Sequence, residues 1–145
     1  MTVLDAFDAF AVVAYLRGEQ AADSVADLLR EPTALSAANA AEVIDQLVRV
    51  FGRDMDDVHS DLALLAHAGM EIAPVTADLG IFAGQLRARH YQRNTMAVSL
   101  ADCIAAGVSL TRAQPLATAD PALASLTRAE GGTVHALPDS RGRLP

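Results

Sequence analysis

Residues 99 to 121 limit the fold more than any other stretch. Ser99-Leu-Ala-Asp102-Cys-Ile-Ala-Ala-Gly-Val reads as a helix with an acid in its first turn. Leu116-Ala-Thr-Ala-Asp120-Pro121 reads as a short buried strand that ends on an acid and turns into another helix. Asp before Pro is a strong cap-then-first-turn signal. A short apolar strand between two helices belongs in a parallel sheet joined by crossover helices.

The rest of the chain repeats that alternation. Thr2-Val-Leu is a strand signal followed by the doubled acidic turn Asp5-Ala-Phe-Asp8-Ala-Phe. Helices are predicted over Ala9 to Leu16, closed by Gly18, and over Gln20 to Arg30, stopped by Pro32. Thr33 to Ser36 reads as a strand, and a long helix follows through Val43, Leu47 and Val50 to Gly52. A helix from Asp54, a strand over Glu71 to Val75, and a helix from Thr76 to about Arg89 come next. His90 to Thr95 is a polar connector, and Thr133 to Leu137 is a last strand after the helix from Pro121. The pattern predicts an α/β domain over residues 1–137 with a mostly parallel sheet of about four to five short strands. A polar tail, expected to be loosely held, occupies 138–145. Sites in such sheets form beyond the carboxyl ends of the strands, where strand order reverses.

Composition excludes several functions. The net charge is −7 and every basic residue is Arg, which argues against general charge-driven nucleic-acid binding but not against a local Arg cluster or a metal. The single cysteine, Cys103, sits in an apolar helix; it reads as core and fits a reducing cytoplasm. No apolar run is long enough to span a membrane, and none reads as a signal peptide. No Gly-rich phosphate loop follows any strand, so a dinucleotide site is not expected. His59, His67 and His135 show no ligand spacing.

Each acid near an element end has an ordinary explanation. Asp8 and Asp120 can cap helices, Glu42 follows Asn39 at capping-box spacing, and Asp102 follows Ser99 the same way. Together they demand more. Acids that follow parallel strands gather at one sheet edge, where they repel unless a cation lies among them. Carboxylate oxygens completed by water suit Mg²⁺ or Mn²⁺. Such an ion polarises a phosphodiester and activates a water for in-line attack. Arg87, Arg89 and Arg93, with His90, form the one dense basic cluster and are candidates for contacting phosphate. Ser36 and Asn39 can orient Glu42, and Thr118 can hydrogen-bond beside the acids.

Four segments, in order, resemble the PIN-domain ribonucleases of the VapC toxin family. They are Val3-Leu-Asp-Ala-Phe with Ala14-Tyr-Leu-Arg-Gly-Glu19, Leu35-Ser-Ala-Ala-Asn39-Ala-Ala-Glu42-Val, Ser99-Leu-Ala-Asp102-Cys, and Leu116-Ala-Thr-Ala-Asp120-Pro. The resemblance implies a three-layer α/β/α sandwich and a Mg²⁺- or Mn²⁺-dependent endoribonuclease cutting structured RNA such as tRNA or ribosomal RNA. It also implies a cognate VapB-like antitoxin that reaches into the site, contact with DNA only through that antitoxin, and commonly a toxin homodimer. The implied catalytic acids are Asp5 or Asp8, Glu42, Asp102 and Asp120, with the aspartates as metal ligands. The family has one Asp after the first strand, whereas the doubled Asp-Ala-Phe offers two. Counting forward from Val3-Leu4 gives Asp5, and counting back from Tyr15 gives Asp8. Asp5 is slightly preferred, because it directly follows the strongest strand residues. If the extra turn displaces both, the chain becomes a binding module that mainly sequesters a partner protein. A small-molecule phosphohydrolase is a third reading.

Overall fold

A computed structural model describes residues 5–145. Among these residues five short strands form one wholly parallel sheet: β1 (Ala6–Phe7), β2 (Thr33–Ser36), β3 (Met70–Ala73), β4 (Leu116–Thr118) and β5 (Val134–Ala136). Their spatial order is β3-β2-β1-β4-β5. The helices are α1 (Ala9–Arg17), α2 (Ala22–Leu28), α3 (Ala37–Asp45), α4 (Met55–His67), α5 (Ala77–His90), α6 (Leu100–Arg112) and α7 (Pro121–Ala129).

Side-chain alternation along the strands builds the layers. Ala6 lies opposite Ala34 and Leu116, and Phe7 lies opposite Leu35 and Ala117. Phe7, Leu35 and Ala117 pack with Val12, Val25, Val43 and Val58, from α1 to α4. On the other face, Ala6, Ala34 and Leu116 pack with Leu86, Cys103, Leu123 and Leu126, from α5 to α7. This is the three-layer α/β/α sandwich expected from the resemblance. Cys103 is fully buried, and burial before all else pushes its thiol up to about 11, as befits a core residue.

Local signals fix the helix ends. Gly18 takes the left-handed conformation that closes α1, as its position after Arg17 predicts. Ser36, Thr76 and Ser99 cap α3, α5 and α6 through their hydroxyls. One departure from the sequence reading stands out. The long helix after Ser36 widens into a π-helical turn over Gln46–Val50. The predicted strand Thr2-Val-Leu lies outside the described residues, and the described part of β1 is the Ala-Phe between the two acids. The tail after Pro138 is closed by Asp139, whose Oδ1 accepts from the backbone N–H groups of Arg141 and Arg143 at 2.8 and 2.9 Å. No helix among the described residues is long and apolar enough to cross a membrane.

Candidate active site

The chain lays down β1, β2 and β3 in one direction, then returns to the other side of β1 for β4 and β5. Strand order therefore reverses between β1 and β4, and a crevice opens beyond their carboxyl ends. Asp8 directly follows β1 and is buried. Its Oδ1 caps α1 by accepting from the Ala11 N–H at 2.9 Å, and its Oδ2 accepts from the Thr118 hydroxyl at 2.5 Å. Thr118 is the last residue of β4, and its oxygen in turn accepts from the Asp120 N–H at 3.0 Å. One hydroxyl thus ties the end of β1 to the start of α7. Asp120 caps α7 by accepting from the Ala122 N–H at 2.9 Å. Asp102 completes a capping box with Ser99 at the start of α6.

Glu42 enters from α3. Its Oε1 accepts from Asn39 Nδ2 at 3.0 Å. The same Nδ2 donates to the Ala101 carbonyl at 3.1 Å, and Asn39 Oδ1 accepts from the Ser36 hydroxyl at 2.5 Å. Asn39 is fully buried, and it joins α3 to the first turn of α6, which carries Asp102. Three acids therefore do cap their own helices. They also lie near enough for their charges to act on one another.

The electrostatics show the gathering. Burial, above all, pushes the Asp8 carboxyl up to about 7; the Thr118 and Ala11 hydrogen bonds work against this, and the charges of Asp102 and Asp120 add to it. Burial likewise raises Asp102, with repulsion from Asp120, and raises Glu42, with repulsion from Asp102. None of these four acids forms an ion pair with Arg or His among the described residues. Four carboxylates with unrelieved mutual repulsion, all oxygen donors, have the chemistry of a hard divalent cation site. Among the described residues no three acid, His or Cys side chains close directly on a single point. An ion here would complete its shell with water, as Mg²⁺ habitually does.

Asp5 does not join them. It immediately precedes β1 as Asp8 immediately follows it, three residues and about 10 Å away along the extended chain. Its Oδ2 is 3.1 Å from Nδ1 of His135 on β5. The slight preference for Asp5 is thus corrected: counting back from Tyr15 finds the residue at the carboxyl end of β1. The basic cluster is divided too. Arg89 and His90 both bind Glu130, at 2.8 and 2.5 Å. Arg93 is exposed in the turn after α5. Arg87 is held against the segment that leads into α6, through the Val98 carbonyl. Asp45 pairs with Arg49 on the surface at 2.8 Å.

The spacing Ser36, Asn39, Glu42 signals one helix face, but the reach of Asn39 to Ala101 has no sequence signal. It carries a prediction. In Asn39→Asp an acceptor replaces the donor between Glu42 and the Ala101 carbonyl. The buried group then faces a carboxylate and a carbonyl with nothing to share. Urea unfolding at pH 7.5 is expected to show a loss of about 2–4 kcal/mol. Stability equal to wild type would mean that Asn39 does not join the helices.

The model of the PIN domain family matches residues 6–129. No curated protein matches the chain in sequence. Among solved structures, the chain is similar to the VapC20 toxin of Mycobacterium tuberculosis, titled a sarcin-ricin loop cleaving toxin. The TM-score is 0.70 at 19% identity, over 92% of this chain and 99% of that one. It is also similar to VapBC2 of Rickettsia felis bound to a promoter DNA fragment, with a TM-score of 0.67 at 16% identity over 91% and 97% of the two chains. A third is FitAcB of Neisseria gonorrhoeae, with a TM-score of 0.64 at 19% identity over 90% and 96%. These likenesses show the fold. With the family model spanning all four gathered acids, this chain belongs to the PIN domain family.

Proposed function

We propose that the chain is a Mg²⁺- or Mn²⁺-dependent endoribonuclease, the toxin of a toxin–antitoxin pair, acting on structured RNA. The observation that carries this is the convergence of Asp8, Glu42, Asp102 and Asp120 at the strand-order reversal of a PIN fold. Similar solved structures support the pairing: they include a toxin–antitoxin complex from Klebsiella pneumoniae and a sarcin-ricin loop cleaving toxin. A cognate VapB-like antitoxin is the expected partner.

Asp8, Asp102 and Asp120 would hold the cation. When bound, it supplies charge neutralisation at the phosphate and acidifies a coordinated water. The protein supplies position and proton acceptance. Asp102 and Asp120 each spend one oxygen on a helix cap and keep the other without a protein partner among the described residues. Asp8 is fixed at both oxygens, so it anchors rather than moves. Glu42 has Oε1 held by Asn39 and Oε2 without a partner among the described residues, and burial raises its pKa. It is the group placed to take a proton from the attacking water. The doubled Asp-Ala-Phe leaves Asp8 at the strand end, which supports the nuclease reading over that of an impaired binding module.

Incubation of purified protein with total tRNA and ribosomal RNA, with Mn²⁺ or with chelator, tests this. Discrete fragments are expected with Mn²⁺ and none with EDTA. Equal cleavage in both, or none in either, rejects the proposal.

A further inference from the structure

In this acidic chain most arginines are already neutralised. Among the described residues, seven of the eleven pair with carboxylates. Of the remaining four, Arg93, Arg128 and Arg141 are exposed, and Arg87 alone is half-buried. Two neutral groups fix its side chain. Arg87 Nε donates to the Val98 carbonyl at 2.9 Å, and the guanidinium carbon stands 4.3 Å from the centre of the Tyr91 ring. Neither contact uses Nη1 or Nη2, and no protein acceptor meets either among the described residues. The charge faces a surface hollow of about 330 Å³ lined also by Gly84, Ala88, Tyr91 and Leu100. Leu100 is 56% exposed there.

The hollow lies at the start of α6, whose first residue, Leu100, lines it. Val98 immediately precedes Ser99, the cap of α6, and Asp102 lies in that helix's first turn. Cys103, next in the chain, feels the charges of both Asp102 and Arg87. A polyanion approaching four carboxylates needs a compensating cation at the rim. A guanidinium held flat, with its two terminal nitrogens side by side, matches two oxygens of one phosphate. Its rotamer freedom is already spent, so less entropy is lost on binding.

We infer that Arg87, braced by Val98 and Tyr91, binds a backbone phosphate of the RNA substrate next to the bond to be cut. The inference rests on the nuclease reading for the identity of its ligand. It separates Arg87 from Arg89, whose charge Glu130 takes, and from the exposed Arg93.

The test is fluorescence anisotropy with a fluorescein-labelled mixed-sequence RNA 12-mer in EDTA, where binding is read without cleavage. Arg87→Ala is expected to weaken binding about tenfold. It should also flatten the dependence of log affinity on log salt by about 0.7, the share of one phosphate contact on a single strand. Arg87→Lys, which keeps the charge and loses the fork, should bind at least about threefold more weakly than wild type. Because Arg87 touches the protein interior, Leu100→Glu is the companion variant. It adds a carboxylate at an exposed position beside Arg87, suits the first turn of α6, and should weaken binding as Arg87→Ala does. Arg141→Ala, a distant exposed arginine, should stay within about twofold. Circular dichroism melts confirm folding of each variant. Wild-type affinity and salt slope in both Arg87→Ala and Leu100→Glu overturn the inference. Arg87-dependent binding in a protein that never cleaves RNA with Mn²⁺ removes the nuclease reading and leaves the contact standing. Intact cleavage with Arg87-independent binding does the reverse.

Discussion

Asp102→Asn is expected to lower Mn²⁺-dependent RNA cleavage by on the order of 100-fold or more, and at the same time to make the protein more stable. The two effects have one cause. Asn keeps the shape and the acceptor oxygen that receives the Ser99 N–H, so the capping box survives the change. What it removes is a negative charge that burial and the neighbouring Asp120 already disfavour. Loss of the helix-dipole interaction opposes the gain by about 0.3–1 kcal/mol, less than the relief of burying one charge fewer. A net gain of about 1 kcal/mol raises the melting temperature of a chain this long by roughly 2–4 °C. Melting in EDTA at pH 7.5 and cleavage with Mn²⁺ are both needed. Cleavage at the wild-type rate sinks the functional assignment. A lower melting temperature shows that Asp102 serves its helix and not a strained cluster.

The second large effect is on the pH dependence of folding. Most proteins lose stability towards acid because their carboxylates are paired. Here the Asp8 carboxyl is pushed up to about 7 from an ordinary 3.8, chiefly by burial. Below pH 3.8 both folded and unfolded chains hold that proton. Between 3.8 and about 7 the unfolded chain has released it while the folded chain keeps it. The unfolded state then binds fewer protons, so stability falls as pH rises, by at most about 1.4 kcal/mol per pH unit for one group. Glu42, Asp102 and Asp5 are raised too and act with the same sign. Asp45, Glu130 and Asp139 are lowered and act oppositely, but only below the ordinary carboxylate values. Urea unfolding in EDTA is therefore expected to give a higher midpoint at pH 5 than at pH 8, by about 2 kcal/mol in stability. Millimolar Mn²⁺ should stabilise the protein at pH 8 and do so less at pH 5, where Asp8 already holds a proton. A flat or rising profile between pH 5 and 8 contradicts this reading of the cluster.

Much of the fold was legible, because short apolar runs and cap residues are local signals. Ser99 with Asp102, Asp120 with Pro121, and Gly18 after Arg17 each mark an end that the chain obeys. Asp102 and Asp120 could be named for the same reason: one lies in a helix's first turn and the other directly follows a strand, while Glu42 was named from its spacing to Asn39 and from the resemblance. Asp8 was harder. Choosing between it and Asp5 requires knowing where β1 stops, and two apolar residues separate the candidates. Pairing settles it, since Ala6 and Phe7 each match a residue on β2 and on β4. The division of the basic cluster was hidden for a related reason. Glu130, which takes Arg89, lies 41 residues away, and no local pattern announces such a partner. The π-helical turn after α3 likewise has no periodic signature in Gln46 to Val50.

The central strand takes a neighbour from the last third of the chain, and the Asp8–Thr118 bond spans 110 residues. A ribosome making this protein therefore releases Asp8 and Glu42 long before the segment that brings the acids into register. Until β4 is free to dock beside β1, the nascent polypeptide has no assembled centre. If the assembled protein cuts RNA, that order of synthesis delays the hazard to the cell until β4 has emerged and docked.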